Sequence, residues 1–405
     1  MTVKERRILS DMKQRTLFDL TQDGLVIGRK LERIYPAFDT DTFIKDIRTE
    51  MEGQTIYNVT KAIGCVLRYH LPENYSEALA ILMQYADGEI PAEPSPSPSE
   101  ELQTSLRPIS HFVSLYGLAD FDASMNAFCK LAIYRCTRGG EMREFLINHP
   151  ERCFERFREW VDDENANLRL FVCASICTRG IWQKWIGRFI PDPQPMLALL
   201  DVLKDDSDPR VREQVAADMR DIVKDYPDEG YATLERWNRD GRVETEKILR
   251  GALKYQLKIG DRRALKLLGL GTSSELGEAQ VSLIELKLER EVVPINDEFR
   301  FSFSLRSEAD EPQTILTHYV VSYKRPTGRV TRKRYRVSQR RLKPKQTVSY
   351  EKSLFPLPSL KQYHDGKARL GWHRFELEVN GDVLGSFDFE TTAETIRKTH
   401  PEESH

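Results

Sequence analysis

Near Leu270 the hydrophobic period of this 405-residue chain switches from helical to alternating, and that switch sets what it can fold into. Before it, apolar residues recur at i, i+3, i+4 spacing in Tyr75 to Tyr85 (YSEALAILMQY), Ser124 to Tyr134 and Pro195 to Leu203, the pattern of helices with one buried face. After it, apolar and polar residues alternate in seven runs: Val281 to Glu289, Phe299 to Ser307, Thr317 to Lys324, Thr331 to Ser338, Thr347 to Leu354, His373 to Asn380 and Val383 to Glu390. A stripe written for one period cannot be buried in the other. The expected architecture is therefore multidomain, α then β: helices over residues 1–270, a β-sandwich over 276–393 and a tail over 394–405. The length agrees, because a single core stops growing at about 250–300 residues. Pro326 to Gly328 (PTG) and Asn380 to Asp382 (NGD) are hairpin turns in this reading.

From Asp162 the helical part repeats itself: DDENANLRLFVCAS, then DDSDPRVREQVAADMRDI, then RDGRVETEKILRGAL. Each has an acidic or turn-like opening followed by an amphipathic helix, at a spacing of roughly thirty to forty residues, which is the range of HEAT-like stacked helical pairs. One pair cannot cover its own apolar face, so neighbours stack and present a long concave wall. Asp162, Ser207 or Asp208, and Asp240 are the expected helix-start residues. Residues 90–108 (IPAEPSPSPSEELQTSLRP) are rich in Pro, Ser and Glu and read as a flexible surface loop.

With 40% hydrophobic and 31% charged residues and no apolar run of about 18 residues, the chain reads as a globular protein with no membrane partner. The first residues, MTVKERRILSDMKQRTLF, contain no continuous apolar core of a signal peptide, so a cytoplasmic location is expected. The six cysteines form no CxxC pair, the histidines no metal-spaced pair, and GxxxxGK[ST] is absent; no metal and no cofactor are expected.

Lys324 to Lys345 (KRPTGRVTRKRYRVSQRRLKPK) carries eleven Lys or Arg side chains and no acid, in a chain whose net charge is −2. Alternation puts Arg332, Arg334 and Arg336 on one face and Lys333, Tyr335 and Val337 on the other. Guanidinium forks match phosphate oxygens, so this row, with Arg329, Arg340 and Arg341, is a candidate for backbone contacts to nucleic acid. Its alternative is a solvated edge strand whose charges prevent sheet-to-sheet association.

Six segments resemble, in order, the AlkC branch of the AlkC/AlkD superfamily of DNA-alkylation-repair glycosylases: LPENYSEALAIL from Leu71, FVSLYGLADFDAS from Phe112, ASICTRGIWQKW from Ala174, DPRVREQVAADMRDIVKDYPD from Asp208, HYVVSYKRPTGR from His318 and GWHRFELEVNG from Gly371. The resemblance implies HEAT-like repeats followed by an immunoglobulin-like domain, double-stranded DNA bearing cationic alkylated bases as partner, excision by hydrolysis of the N-glycosidic bond without base flipping, no cofactor, and a monomer. It implies that the basic strands clamp the duplex against the helical wall.

The family's acidic positions carry over unevenly. Its TSEFAIRPF pattern aligns with Thr137 to Phe145, with Gly139 in place of the acid and Arg143 kept. ASEGTRPRLPW aligns with Ala174 to Trp185, with Ile176 at the second acid and Thr178, Arg179 and Trp185 kept. The third acid, in ANNLNDI, is kept as Asp221. Asp221 is therefore the candidate catalytic carboxylate, with Glu141 a candidate substitute for the missing acid and Asp218 a further acid one turn away. Trp182 and Trp185 are candidates for stacking on substrate or, alternatively, one packed helix face. Arg143, Arg179, Lys184 and Arg188 are candidate phosphate clamps or, alternatively, ordinary helix-surface charges. Two further readings stay open: a catalytically impaired homologue that binds bent or damaged DNA, and a HEAT-repeat scaffold for protein partners.

Overall fold

The computed structural model describes residues 17–51, 59–179, 185–272, 276–294, 297–324, 330–354 and 370–392. Among them are fifteen α-helices followed by eight strands. The helices are α1 (Leu17–Ile34), α2 (Thr40–Met51), α3 (Val59–His70), α4 (Tyr75–Glu89), α5 (Glu100–Tyr116), α6 (Phe121–Ile133), α7 (Arg143–Asn148), α8 (Pro150–Trp160), α9 (Ala166–Ile176), α10 (Gln194–Leu203), α11 (Pro209–Asp225), α12 (Pro227–Asn238), α13 (Val243–Ala252), α14 (Lys254–Ile259) and α15 (Arg262–Leu267). The chain divides into two compact units, Met1–Ala252 and Leu253–His405. The boundary falls before the expected 270, because α14 and α15 pack on the sheets instead of on the helical array.

In the first unit alternate helices stack: α3 on α5, α9 on α11 and α11 on α13. Buried Phe128, Phe145, Phe157, Phe171 and Trp160 fill the space between successive layers. Asp208 opens α11 as expected, its carboxylate accepting from Arg210 N at 2.8 Å. Asp162 does not open α9; Asn165 does, accepting from Asn167 N at 2.9 Å. Asp240 likewise lies outside α13, which begins at Val243.

The segment expected to be a flexible loop over 90–108 splits in two. Ser99 caps α5 by accepting from Leu102 N at 3.1 Å, and two acids follow in the first turn, so helix begins at Glu100 and runs through Pro108. The remaining residues are tied down, with Ser95 O accepting from Asn167 Nδ2 at 3.1 Å and Pro96 O accepting from Arg135 and Arg210, each at 2.9 Å. Composition reports low apolar content; it does not report these carbonyl acceptors.

In the second unit, β1 (Val281–Leu288), β3 (Phe299–Ser307) and β6 (Thr347–Leu354) form one sheet in the order β1-β3-β6. The other sheet runs β2-β8-β7-β4-β5, built from β2 (Val292–Pro294), β4 (Gln313–Lys324), β5 (Val330–Leu342), β7 (Gly371–Val379) and β8 (Asp382–Thr392). The sheets meet face to face: Phe299 touches Phe389 and Phe301 touches Phe375, each with ring centroids 4.7 Å apart. Pairing with β3 or β4 is antiparallel throughout, and only β2 runs parallel to its neighbour β8. β2 was not legible in the sequence because three residues show no period. The turn at Pro326 to Gly328 lies outside the described residues.

The β7–β8 hairpin closes through Asn380 and Gly381, both at positive φ, as a two-residue turn matched to strand twist requires. Its tip rests on Gly260, the left-handed residue that ends α14; a Cβ on Gly260 would meet Gly381 Cα at 2.3 Å. Gly260→Ala is expected to cost about 3 kcal/mol, adding this collision to the left-handed penalty, whereas Gly269→Ala, at φ +65° with open space around it, is expected to cost about 1 kcal/mol. Urea melts of the two variants check the difference.

Candidate active site and nucleic-acid interface

Helix α11 carries Asp218, Asp221 and Asp225 at i, i+3, i+7, one stripe turned toward the chain that leaves α9. Asp218 is fully buried: Oδ1 accepts from Gln214 Nε2 at 2.8 Å, and Oδ2 has no hydrogen-bond partner among the described residues. Burial pushes its carboxyl well above the ordinary range, and the neighbouring Asp221 charge adds to the shift. Asp221 lies at the edge of solvent, its side chain 12% exposed. Its Oδ1 accepts from Lys224 Nζ at 2.9 Å, and its Oδ2 lies 3.8 Å from Cys177 Sγ. Burial pushes the Cys177 thiol up to about 12, with the two aspartates contributing, so it is a neutral donor and not a thiolate nucleophile.

Asp225 organises the outer rim. Its side chain is 1% exposed and accepts from Thr178 Oγ1 at 2.8 Å, Arg179 Nε at 2.7 Å and Trp185 Nε1 at 3.0 Å. Burial alone would raise its carboxyl; these donors, with the Arg179 charge, outweigh that and hold it below the ordinary range. The Trp185 indole covers Gly187, and the Arg179 guanidinium sits 5.6 Å from its ring centre. Ile186 N bonds Thr178 O at 3.2 Å and Tyr226 Oη bonds Ile190 O at 2.6 Å, pinning this segment to the end of α11. Trp185 thus belongs to no α-helix; it is a fixed, half-exposed ring, with Phe189 also half exposed close by in sequence.

Two expected residues have different places. Arg143 is only 4% exposed and donates from Nη2 to Cys177 O at 2.8 Å, so it braces the site from within and cannot clamp phosphate at the surface. Burial lowers its pKa. Glu141 is buried in a 3-10 turn with Oε2 accepting from Thr137 Oγ1 and Arg138 N, each at 3.2 Å. It caps its own turn, and no described hydrogen bond or ion pair joins it to Asp218 or Asp221. Trp182, Lys184 and Arg329, and the side chain of Arg188, lie outside the described residues.

On the second unit β5 is the edge of its sheet. Tyr335 and Val337 pack on the core, leaving Arg332, Arg334 and Arg336 on the opposite face as the alternation requires. Two of these arginines are already paired: Arg334 forks Glu378 at 2.5 and 2.8 Å, and Arg332 bonds Glu376 at 2.7 Å. Arg336 bonds Gln339 at 3.0 Å. A bulge opposite Thr317 and His318 shifts the phase, so Ser338 also turns inward to Tyr350, and Arg341 continues the arginine face in place of Arg340. Arg340 and Arg341 are exposed and make no ion pair among the described residues.

Residues 282–393 match the family described as the C-terminal Ig-like domain of uncharacterised protein YhaZ. Uncharacterized protein YhaZ of Bacillus subtilis (strain 168) is 26% identical over 357 residues, 88% of this chain and 93% of that protein. The alkylpurine DNA glycosylase AlkC of Pseudomonas fluorescens, solved bound to DNA containing an abasic site analog, superposes with a TM-score of 0.78 at 26% identity, covering 92% of this chain and 98% of that one. The chain has the AlkC architecture. The two positions where the resemblance led us to expect acids have no place for one. Gly139 is at φ +80°, and a Cβ there would lie 2.5 Å from the carbonyl carbon of Ala174. Ile176 is 1% exposed, its side chain part of the core. Thr178, Arg179 and Trp185, which the resemblance singled out, all attach to Asp225, which sequence reasoning passed over although its i+7 spacing from Asp218 was there to be read. Among the described residues no group of three or more His, Cys, Asp and Glu side chains is placed to hold a metal ion, and no helix is long and apolar enough to cross a membrane.

Because folded Asp218 keeps its proton to higher pH than an unfolded Asp, folding takes up a proton in that window and stability falls as pH rises through it. Asp218→Asn, which retains an acceptor for Gln214, is expected to raise the Tm by a few degrees at about pH 7. It should leave the Tm unchanged at about pH 3, below the ordinary Asp pKa of about 3.9. Circular dichroism melts at the two pH values check this.

Proposed function

We propose that this protein binds duplex DNA and hydrolyses the N-glycosidic bond of cationic alkylated purines of the 3-methyladenine type, with Asp221 as its reactive carboxylate. The observation that carries the reading is the placement of Asp221: the one acid kept from the AlkC pattern stands at the solvent edge of a buried polar seam, rimmed by the fixed ring of Trp185. An alkylated purine cation leaves as a neutral base, taking the electron pair of the C1′–N bond, and positive charge develops on the sugar. A carboxylate held against that charge stabilises the transition state, and water then attacks C1′ and loses its proton. Burial raises the Asp218 carboxyl well above the ordinary range, so Asp221, at the solvent edge, is the carboxylate placed to meet substrate. Trp185 offers a ring face to a cation, and the exposed Arg340 and Arg341 offer charge to the backbone. No cofactor is required, because the leaving group carries its own activation.

A second reading has its own observation. Gly139 has no room for a side chain and Ile176 is committed to the core, which favours a homologue that grips DNA without excising bases.

Methylated duplex DNA distinguishes the two. Wild type is expected to release methylated purines under single-turnover conditions, and Asp221→Asn to slow release by about 10²–10³-fold while duplex affinity changes less than about threefold. Tight, salt-sensitive binding with no release above the protein-free rate would establish the second reading. Release that Asp221→Asn leaves unchanged would remove Asp221 from the chemistry.

A further inference from the structure

A cavity of about 410 Å³ opens beside the carboxylate seam, between the Pro96 to Pro98 loop, the chain following α6, and helices α9 and α11. Its walls include Arg135, Thr137, Arg138, Asn167, Phe171 and Gln214, and no carboxylate lines it. The lining of the cavity thus carries two guanidinium groups and no acid, with Glu141 behind Arg138 and Asp208 behind Arg135 opposing them only in part. The Arg138 side chain reaches solvent and makes no hydrogen bond or ion pair among the described residues; burial lowers its pKa and the nearby Glu141 charge opposes that. Arg135 donates only from Nη1, to Pro96 O at 2.9 Å, and Arg210 donates to the same oxygen at the same distance. Arg210 is already forked to Asp208, Nε lying 3.0 Å from Oδ1, so the charge left over at this carbonyl is that of Arg135, most of whose fork is unspent. Arg135 also stands at φ +58°, a left-handed conformation uncommon outside glycine, whose strain of order 1 kcal/mol is maintained at the mouth of the cavity. Burial lowers the pKa of Arg135 and the Arg210 charge lowers it further, while Asp208 raises it; an anion in the cavity would add to the effect of Asp208.

We propose that this cavity is a phosphate site, in which Arg135 and Arg138 take the oxygens of a backbone phosphate on a nucleic-acid strand that follows the α9–α11 seam. Guanidinium forks suit phosphate oxygens better than a point charge does. Gln214 fixes the relation to the carboxylates, since it lines the cavity and holds Asp218. Seven residues of helix separate Gln214 from Asp221, about 10 Å along the axis. That is about three base steps of a duplex strand, so the phosphate held here flanks the nucleotide that faces Asp221. The proposal rests on the reading of the helical unit as a DNA-binding one.

Arg138→Gln tests it with the fold's own bond intact, because the contact Arg138 makes to Glu141 is through its backbone N–H, which the variant keeps. In the first arm, unmodified duplex is titrated against the full chain across a salt series. The variant is expected to flatten the slope of log affinity on log salt by about 0.9, the loss of one phosphate contact. In the second arm, inorganic phosphate and a deoxynucleoside monophosphate are titrated against the DNA-free protein by calorimetry. A flattened slope supports the backbone phosphate. An unchanged slope with mononucleotide binding that Arg138→Gln abolishes keeps the phosphate site and assigns it to a free nucleotide. If neither the slope nor the small-anion binding responds to Arg138→Gln, the cavity is not a phosphate site. Should wild type fail to bind duplex at all, the proposed function falls, and the second arm alone decides the cavity.

Discussion

Three aspartates on one face of α11 turned into protein rather than solvent are the condition around which the helical unit is arranged. A buried carboxylate must be protonated, paired or bonded, and each of the three meets that requirement differently. Asp218, its carboxyl pushed well above the ordinary range by burial, takes one bond from Gln214, Asp221 leans outward to Lys224, and Asp225 collects Thr178, Arg179 and Trp185. The turn after α9 is shaped by these bonds, and Arg143 braces it from behind through the Cys177 carbonyl. One helix thus sets a gradient from neutral and dry at Asp218 to charged and accessible near Lys224. An ionised group suited to meeting a sugar cation needs that kind of boundary position: dry enough for a strong field, open enough for substrate.

The sandwich unit solves a different problem. Its basic edge strand holds a row of like charges, and the sheet absorbs part of it internally by setting Glu376 and Glu378 on β7 within reach of Arg332 and Arg334. What is left for a partner lies farther along β5, at Arg340 and Arg341, beyond the bulge that shifts the phase. A run of eleven positive residues is therefore a weaker measure of available charge than it looks. The acids that temper it come from more than thirty residues away in sequence.

Much of the fold was legible because period is a local property. Seven of the eight strands, the Asn380–Gly381 turn and the Asp208 cap follow from alternation, turn chemistry and a capping side chain, each contained in a few consecutive residues. The expected loop over residues 90–108 failed for the same reason in reverse. Low apolar content argued against order, but order came from Asn167, Arg135 and Arg210, donors far away in sequence that meet its carbonyls. Glu141 and Arg143 were misplaced because an acid or an arginine in a helical pattern gives no sign of whether it faces solvent or the next layer.

The order of the residues was enough to establish an α-then-β chain and the resemblance to AlkC, and that resemblance is what implies an acidic role for Asp221 and acids expected at Gly139 and Ile176. Those readings rest on residue type and spacing. Which carboxylate holds a proton, which arginines remain unpaired, and that a cavity free of acids adjoins the aspartate seam came only with the packed structure. Burial and partner distance are properties of groups brought together across the chain, and no local pattern records them.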